Sequence, residues 1–514
     1  MSWRKSAHIV ISATLWAVSL CAAADIDGVR YLSDIKQLTS KKMKGRGSGS
    51  PELDRAAHFI AKEFRRAGLR TLLHDSYLQP FPVSVKATIG SDNHFAYTLD
   101  GVRTELKIGE SFTPFSFSST SSAKGQAVFA GYGITAPEYN YDDYADLDVR
   151  GKIVVLLRHE PLEFESSSVF EGRVYTEHSQ LFSKALNARA HGAIAIVYVN
   201  DNANHGTDAL EKFVSLPGPA DAGIPFLQVA SADVDKWFTA AGRNFRGIQE
   251  EIDRSLRPQS FTFPASLEVD LATDVQHISR DVYNVVGYLP GATDEYVVIG
   301  AHYDHLGLGE QYSLAPEKAG TIHPGADDNA SGAAGLIALA RYFGSHPRPA
   351  RGILFLAFAG EELGLLGSTH YVNHPLFPLE RASVMINMDM IGRVRDNKVM
   401  VGGAPAGSPY RGILDSLGPK YDLDLDLSDT SVYGSSDHTS FKAKRVPTLF
   451  FFSGLHADYH RPTDTWEKIE VEGTVRLLRL IADMTSVLAT PSGKPQFALQ
   501  HSPTLKHDEH KHGH

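Results

Sequence analysis

Cysteine is all but absent. A single one, Cys21, occurs in 514 residues, and it lies in an N-terminal stretch laid out like an export signal. Arg4 and Lys5 give a positive start, Ile9 to Leu20 a mostly apolar run, and Ala22-Ala23-Ala24 a small-residue cleavage site before Asp25. Processing there leaves a mature chain with no cysteine. That excludes disulfides, thiol nucleophiles and thiolate metal ligands, although the expected location, periplasmic or extracellular, would permit disulfides. A second long apolar run is also missing. The first is shorter than the roughly 20 residues a spanning helix needs, so no stable membrane insertion of the mature chain is expected. Lipid attachment at Cys21 is disfavoured by Leu20, which stands where such a site wants a small residue. Basic excess is lacking too. The net charge is −10, and removal of Arg4 and Lys5 takes two positive charges more, to −12. A broad nucleic-acid footprint is therefore not expected.

What is present is an ordinary globular composition, 42% hydrophobic and 21% charged, in a chain long enough for two or three domains. Residues 28–70 read as two helices. In the second, Leu53, Ala56, Ala57, Ile60, Ala61 and Phe64 recur at helical spacing, with Ser50 as N-cap, Pro51 at the first turn and Gly68 as terminator. Between them, Gly45 to Ser50 is glycine-rich. It follows no strand and lacks phosphate-loop spacing, so it reads as a flexible turn. Residues 85–120 are strand-like. Residues 121–265 have their own core pattern: buried strands around 126–133, 151–157, 193–199 and 224–229, with a helix over 183–191. From about 270, strand and helix alternate. Strands are expected at 281–288, 296–301, 352–358, 382–388, 398–402 and 447–452, and helices at 331–342, 363–373, 409–417 and 471–489. That alternation predicts an α/β fold, a mixed and mostly parallel sheet with helices on both faces, interrupted by the β-rich insert. The tail, 493–514, is polar and rich in histidine, and is expected to be disordered.

The chemistry gathers after the strands of the alternating block. His302 and Asp304 follow the run Tyr296 to Ile299, Asp327 and Asp328 lie in GADDNASG, a loop entering the helix expected from Ser331, and Glu361 and Glu362 follow Phe358. Asp389 follows Met388, and His460 lies beyond the last strand. Open α/β sheets carry their chemistry at such strand ends. Taken alone, an Asp after a strand is a turn or helix cap, and a Glu-Glu pair is a solvated helix start. Together, so many carboxylates at one edge would repel one another without cations. Two divalent ions remove that difficulty. Zinc accepts imidazole and carboxylate ligands, one carboxylate can bridge, and another acid is left as general base. The neighbouring side chains of Glu361 and Glu362 diverge, which suits such a division of labour.

The segments GAHYDHLG, PGADDNASGAAGL, AFAGEELGLLGS, INMDMIG, SSDHTSF and DYHRPTDT occur in the order found in the co-catalytic di-zinc aminopeptidases, which the chain resembles over most of 281–480. Wider relatives of that family include glutamate carboxypeptidase and the transferrin receptor ectodomain. The helix from Pro51 resembles the family's opening helix. The resemblance implies two zinc ions. His302 and Asp389 would bind one, Glu362 and His460 the other, and Asp328 would bridge them. Asp327 is passed over because the family's ligand stands three residues before the Ser331 position. Glu361 would be the general base, and Asp304 would orient the His302 imidazole. Tyr433 falls where some relatives place a phenol that holds the tetrahedral intermediate. Asp437 and His438 are expected to be structural. GQAVFAGYGI, LDVRGKIVVLLR, KALNARAHGAIAIVYVND and IPFLQVA resemble a protease-associated (PA) domain.

The expected organisation is thus a signal peptide at 1–24, an N-terminal peptidase portion at 25–120, the PA insert at 121–265, the zinc peptidase domain at 266–492 and the tail. The expected activity is aminopeptidase, on peptides with a free N-terminus. The alternatives are a carboxypeptidase of the same fold, a glutaminyl cyclase-like enzyme, and a receptor-like domain without activity. The filled ligand positions argue against the last two.

Overall fold

The computed structural model describes residues 25–165, 168–170, 176–201, 203–204, 208–213, 217–219, 221–427 and 436–490. The expected export segment, the His-rich tail and Tyr433 lie outside these. Two large sheets organise the chain. The first has nine strands, in the order 218–219, 78–89, 275–289, 352–358, 296–302, 382–388, 448–452, 398–402 and 424–426. Its centre is parallel: Gly352–Phe358, Tyr296–His302, Ala382–Met388 and Thr448–Phe452 run side by side. Antiparallel pairings flank that centre, so the sheet is mixed, with parallel order concentrated where the chemistry lies. The three strands at the heart of the sheet are buried at every residue. That explains why they read as continuous apolar runs rather than alternating ones.

Helices cover both faces of this sheet. Gly28–Leu38 is capped by the Asp27 carboxylate and Pro51–Arg66 by the Ser50 hydroxyl, each accepting from the first-turn amides. Their apolar sides join one core with the helix Gly332–Ser345 and the long C-terminal helix Val471–Leu488. Gly332 permits a close approach. A Cβ there would sit 2.4 Å from the Met388 carbonyl, at the end of a central strand.

Two long antiparallel strands, Leu78–Ile89 and Val275–Leu289, pair from Leu78 with Val285 to Ile89 with Val275. The chain leaves the peptidase sheet along the first and returns along the second. What lies between builds the second sheet, in the order 102–106, 94–99, 267–273, 121–129, 153–157, 195–199, 226–229 and 112–114. Strands at 94–114, expected with the N-terminal peptidase portion, therefore belong to the second sheet. Helices Ser231–Ala240 and Phe245–Ser255 close one of its faces, with Trp237 fully buried against Phe95 and Tyr97. The two units touch. Gly218 and Pro219 pair with Ser84 and Val83, Gln311 donates to the Pro217 carbonyl at 3.0 Å, and Lys442 donates to the Tyr139 hydroxyl at 3.0 Å. Among the described residues, no helix is long and apolar enough to cross a membrane.

Candidate metal centre

The parallel strands deliver their ends to one place. His302 is the last residue of its strand, and Asp304 and His305 follow it. Glu361 and Glu362 stand just past the neighbouring strand Gly352–Phe358, and Asp389 just past Ala382–Met388 on the other side. Strands in register place such ends within about 5 Å of one another. Asp328 comes from the buried turn before Gly332, and His460 from the segment beyond Thr448–Phe452.

The side chains converge as two adjoining groups. His302 Nε2 lies 3.2 Å from Asp389 Oδ1, 3.4 Å from Asp328 Oδ1 and 3.9 Å from Glu361 Oε2. His460 Nε2 lies 3.2 Å from Asp328 Oδ2 and 3.1 Å from Glu362 Oε2. The two oxygens of Asp328 thus face different groups. Asp327 points elsewhere, accepting from the Gly392 amide at 2.6 Å and facing His456 at 3.1 Å. His305, which sequence reasoning left unassigned inside its own motif, joins the second group. Its Nδ1 lies 2.7 Å from Glu362 Oε1 and 3.7 Å from Asp328 Oδ2. His302, Asp328 and Asp389, and again His305, Asp328 and Glu362, are spaced to hold a cation.

The imidazoles are aimed. His460 Nδ1 is 2.9 Å from the Tyr312 carbonyl, which can only accept, so Nδ1 carries the proton and Nε2 faces the carboxylates. Asp304 sits behind His302, with Oδ1 at 3.7 Å from Nδ1. Its hydrogen bonds go elsewhere: it accepts from Ser48 Oγ at 2.7 Å and from the amides of Glu361 and Glu362 at 3.2 and 3.4 Å. It therefore anchors the turn that carries the two glutamates as well as backing the imidazole.

The electrostatics express a demand for positive charge. Burial pushes Glu361 well above the usual carboxylate range, and the neighbouring Glu362 and Asp389 add to this against His302. Burial and Glu362 likewise raise Asp328. Burial also opposes ionisation of Glu362, yet His460 and His305 pull it well below its ordinary value. Burial disfavours a charged His460, but the carboxylates of Glu362 and Asp328 drive it up to about 11. His302 is raised in the same way by Asp389 and Glu361. The local acids are Asp304, Asp328, Glu361, Glu362 and Asp389, and the fully buried Arg46 is the nearby guanidinium. With neutral imidazoles, and with Asp327, Asp437 and Asp464 as further buried acids against the one further guanidinium of Arg393, the centre carries an excess of negative charge that divalent cations would offset. The nitrogen and oxygen donors suit zinc. The buried His302 Nδ1 and His305 Nε2 have no hydrogen-bond partner among the described residues.

A second layer holds the ligands in place. Asp464, with no exposed surface, accepts from the amides of Asp327 at 2.8 Å and Asp328 at 3.1 Å, and from Arg393 at 2.9 Å. Asn329 accepts from the amides of Gly332 and Met390 and donates to the Met388 carbonyl, tying the Asp328 turn to the strand that leads to Asp389. Arg46 donates to the carbonyls of Tyr303, Leu38, Pro324 and Gly325 at 2.7 to 2.9 Å. The glycine-rich stretch thus contains a buried clasp, where a flexible turn was expected. Tyr459 stacks on His460 with ring centroids 3.9 Å apart, and burial together with Asp328, Glu362, Glu361 and Asp389 keeps its phenol protonated. His438 stacks on Phe450 at 4.5 Å and burial drives it down to about 3, while buried Asp437 is pushed up to about 7. A single sequence flags none of Arg46, Asp464 or Tyr459, because each acts through groups distant along the chain or beside an already assigned ligand.

Fold and site together define a class: an α/β protein with a cation centre of imidazoles and carboxylates at the carboxyl edge of its sheet. Residues 284–485 match the model of Peptidase family M28 and residues 123–237 that of the PA domain. These two regions are thus a Peptidase family M28 domain and, ahead of it in the chain, a PA domain. It is similar to Aminopeptidase YwaD of Bacillus subtilis, 26% identical over 369 residues, which cover 68% of this chain and 66% of that protein. Leucine aminopeptidase 2 of Trichophyton rubrum is 28% identical over 222 residues, 40% of each chain. The match therefore spans less than two thirds of either relative. Among solved structures, an aminopeptidase from Aneurinibacillus sp. strain AM-1 shows 20% identity and a TM-score of 0.46, with 93% of this chain and 96% of that one covered. A zinc aminopeptidase from Bacillus subtilis shows 21% and 0.45, with 92% and 98% covered.

Proposed function

We propose that this protein is an exported, zinc-dependent aminopeptidase that hydrolyses the first peptide bond of substrates with a free amino terminus. The observation that carries the reading is Asp328, whose two oxygens are divided between two imidazole–carboxylate groups with Glu361 alongside. The names of the similar proteins and the signal-like residues 1–24 support it.

In this reading His302 and Asp389 would hold one zinc, Glu362 and His460 the other, and Asp328, which faces both groups, would serve both. His305 steadies Glu362. Zinc bound there would supply Lewis-acid polarisation of the carbonyl and acidify a water at neutral pH. Glu361 accepts the proton of the attacking water and passes it to the leaving amine. Burial, which raises its proton affinity, suits both halves of that task. Tyr459, stacked on His460 with ring centroids 3.9 Å apart, fixes the plane of that imidazole. Tyr433 keeps its expected role on resemblance alone. Asp304 orients the turn bearing Glu361 and backs His302.

The test is hydrolysis of leucine p-nitroanilide against its N-acetylated form, with metal counted in the same preparation. Glu361→Gln should retain two zinc ions per chain and lose about 10²- to 10⁴-fold in kcat. Equal cleavage of free and blocked substrates would refute the aminopeptidase assignment. Near-normal turnover by Glu361→Gln would refute the role of the base.

A further inference from the structure

A cleft of about 610 Å³ lies between the PA unit and two loops of the metal centre. That is within the size range of small-ligand sites. Its peptidase wall is Leu363 and Gly364, which directly follow Glu362, together with Tyr312, whose carbonyl holds His460. Gln180 of the PA unit reaches across. A Cβ added to Gly364, at φ +100°, would lie 3.3 Å from Gln180 Oε1. Facing them are aromatic rings of the PA unit. Phe115 packs edge-on against Tyr198 at 5.5 Å, and Phe117 edge-on against Phe182 at 5.8 Å. Phe115 and Phe182 are half-buried, so apolar ring surface remains to be covered.

The polar groups of the cleft are largely used. Arg158 pairs with Glu211 at 3.0 Å, and Gln311 is spent on the Pro217 carbonyl. Among the described residues the unpaired charges, Lys212 and Glu310, stand at the exposed rim, whereas deeper in the cleft a large apolar or aromatic side chain would complete the ring cluster. The rim reaches solvent through Lys212, Glu310 and Tyr312, all exposed. Next to Tyr459, Met390, Phe450 and Phe452 form a small buried cluster. A substrate cut at its first bond ends at the metal centre on one side and must continue on the other. The open cleft fits the continuing part.

We propose that the cleft beneath the PA unit is a subsite for the residue that follows the scissile bond, and that its ring lining selects a large apolar or aromatic side chain. This rests on the aminopeptidase reading. The PA unit then acts as half of the specificity surface and not merely as a cover.

The experiment compares kcat/KM for Leu-Phe-NH2 with that for Leu-Gly-NH2, in wild type and in two variants, with zinc content measured on each. Wild type should prefer the phenylalanine peptide by about tenfold or more. Phe182→Ala should bring the ratio toward one. Gln180→Trp, at a half-buried rim position that leaves the core alone, should obstruct the cleft and lower the ratio as well. A ratio equal in wild type and both variants overturns the proposal while leaving the aminopeptidase reading intact. So does a variant effect that appears only when the first residue is changed, as between Leu-Gly-NH2 and Phe-Gly-NH2, because that places the N-terminal side chain in the cleft. Cleavage of none of these peptides by zinc-loaded wild type overturns the underlying reading and the subsite with it.

Discussion

Asp464→Asn is an isosteric change at a position that touches no substrate and binds no metal, yet it should be among the most damaging in the peptidase unit. Asp464 Oδ2 accepts from two amides, those of Asp327 and Asp328, and Oδ1 accepts from Arg393, with all three groups buried. Burial and Asp327 raise its carboxyl, and the Asp328 amide and Arg393 oppose them. An asparagine has one oxygen to offer. If that oxygen serves the amides, its NH2 confronts the Arg393 guanidinium, which then keeps Asp458 at 3.4 Å as its remaining carboxylate. If it serves Arg393, the NH2 confronts two N–H donors. The first arrangement costs less, and it still breaks a buried ion pair, a loss of roughly 3–5 kcal/mol when one partner is removed. Asp458 and the retained amide bonds place the expectation near the lower end, about 3 kcal/mol. For a unit of some 280 residues, Gly28–Ile89 with Val275–Leu488, each kcal/mol shifts Tm by about 2 °C, so the expected fall is about 6 °C. The same change loosens the turn that aims Asp328, and partners of this kind are worth about 10–100-fold in metal affinity. Differential scanning calorimetry of zinc-loaded protein and competition with a chelating indicator read the two effects. A Tm within about 2 °C of wild type with unchanged zinc affinity would show that this network neither supports the fold nor positions the bridge.

Other expectations follow from the same geometry. Arg46→Met leaves four buried carbonyls without their donor and should cost at least about 3 kcal/mol in urea unfolding; Arg46→Lys, keeping the charge but not the fork, should fall between. Dialysis against chelator should lower Tm by about 8 °C per site if zinc stands near a thousand times its Kd, with recovery on adding zinc; an unchanged Tm would mean the carboxylates need no cation. In the PA unit, burial pushes Asp143 and Glu160 up to about 7 each. Between their unfolded values, near 4, and pH 7 the folded state binds more protons than the unfolded one. Stability of this unit should therefore fall as pH rises from about 5 to 7, by up to about 1.4 kcal/mol per pH unit for each group. Urea unfolding followed by Trp237 fluorescence reads this, and Asp143→Asn should flatten the slope; a slope of opposite sign would refute the argument.

Much of the centre was legible in the linear order of residues because its ligands ride on strand ends. A buried parallel strand is an uninterrupted apolar run, so its end is visible; His302 closes one such strand, and Glu361, Glu362 and Asp389 stand shortly beyond two others. The expected strands at 352–358, 382–388 and 398–402 coincide with those observed. Less was legible where pairing runs between distant segments. The strands at 94–114 have the same alternating character whichever sheet they join, and only their partners at 121–129, 226–229 and 267–273 assign them.

By itself, then, the amino-acid order determined the class of chemistry: a lone cysteine confined to the N-terminal segment, acids and imidazoles after successive buried strands, and a cation demand that follows from like charges. Tertiary structure decided how that chemistry is held. The two oxygens of Asp328 face two groups because the turn before Gly332 is pinned by Asp464, 136 positions further on. Arg46 belongs to the centre because its four acceptors come from segments that meet only in the fold. Hydrogen bonds and ion pairs act over about 3–4 Å in space irrespective of separation along the chain. A pattern of neighbours in sequence can announce a ligand, but what aims the ligand is chosen by proximity, and proximity is made by packing.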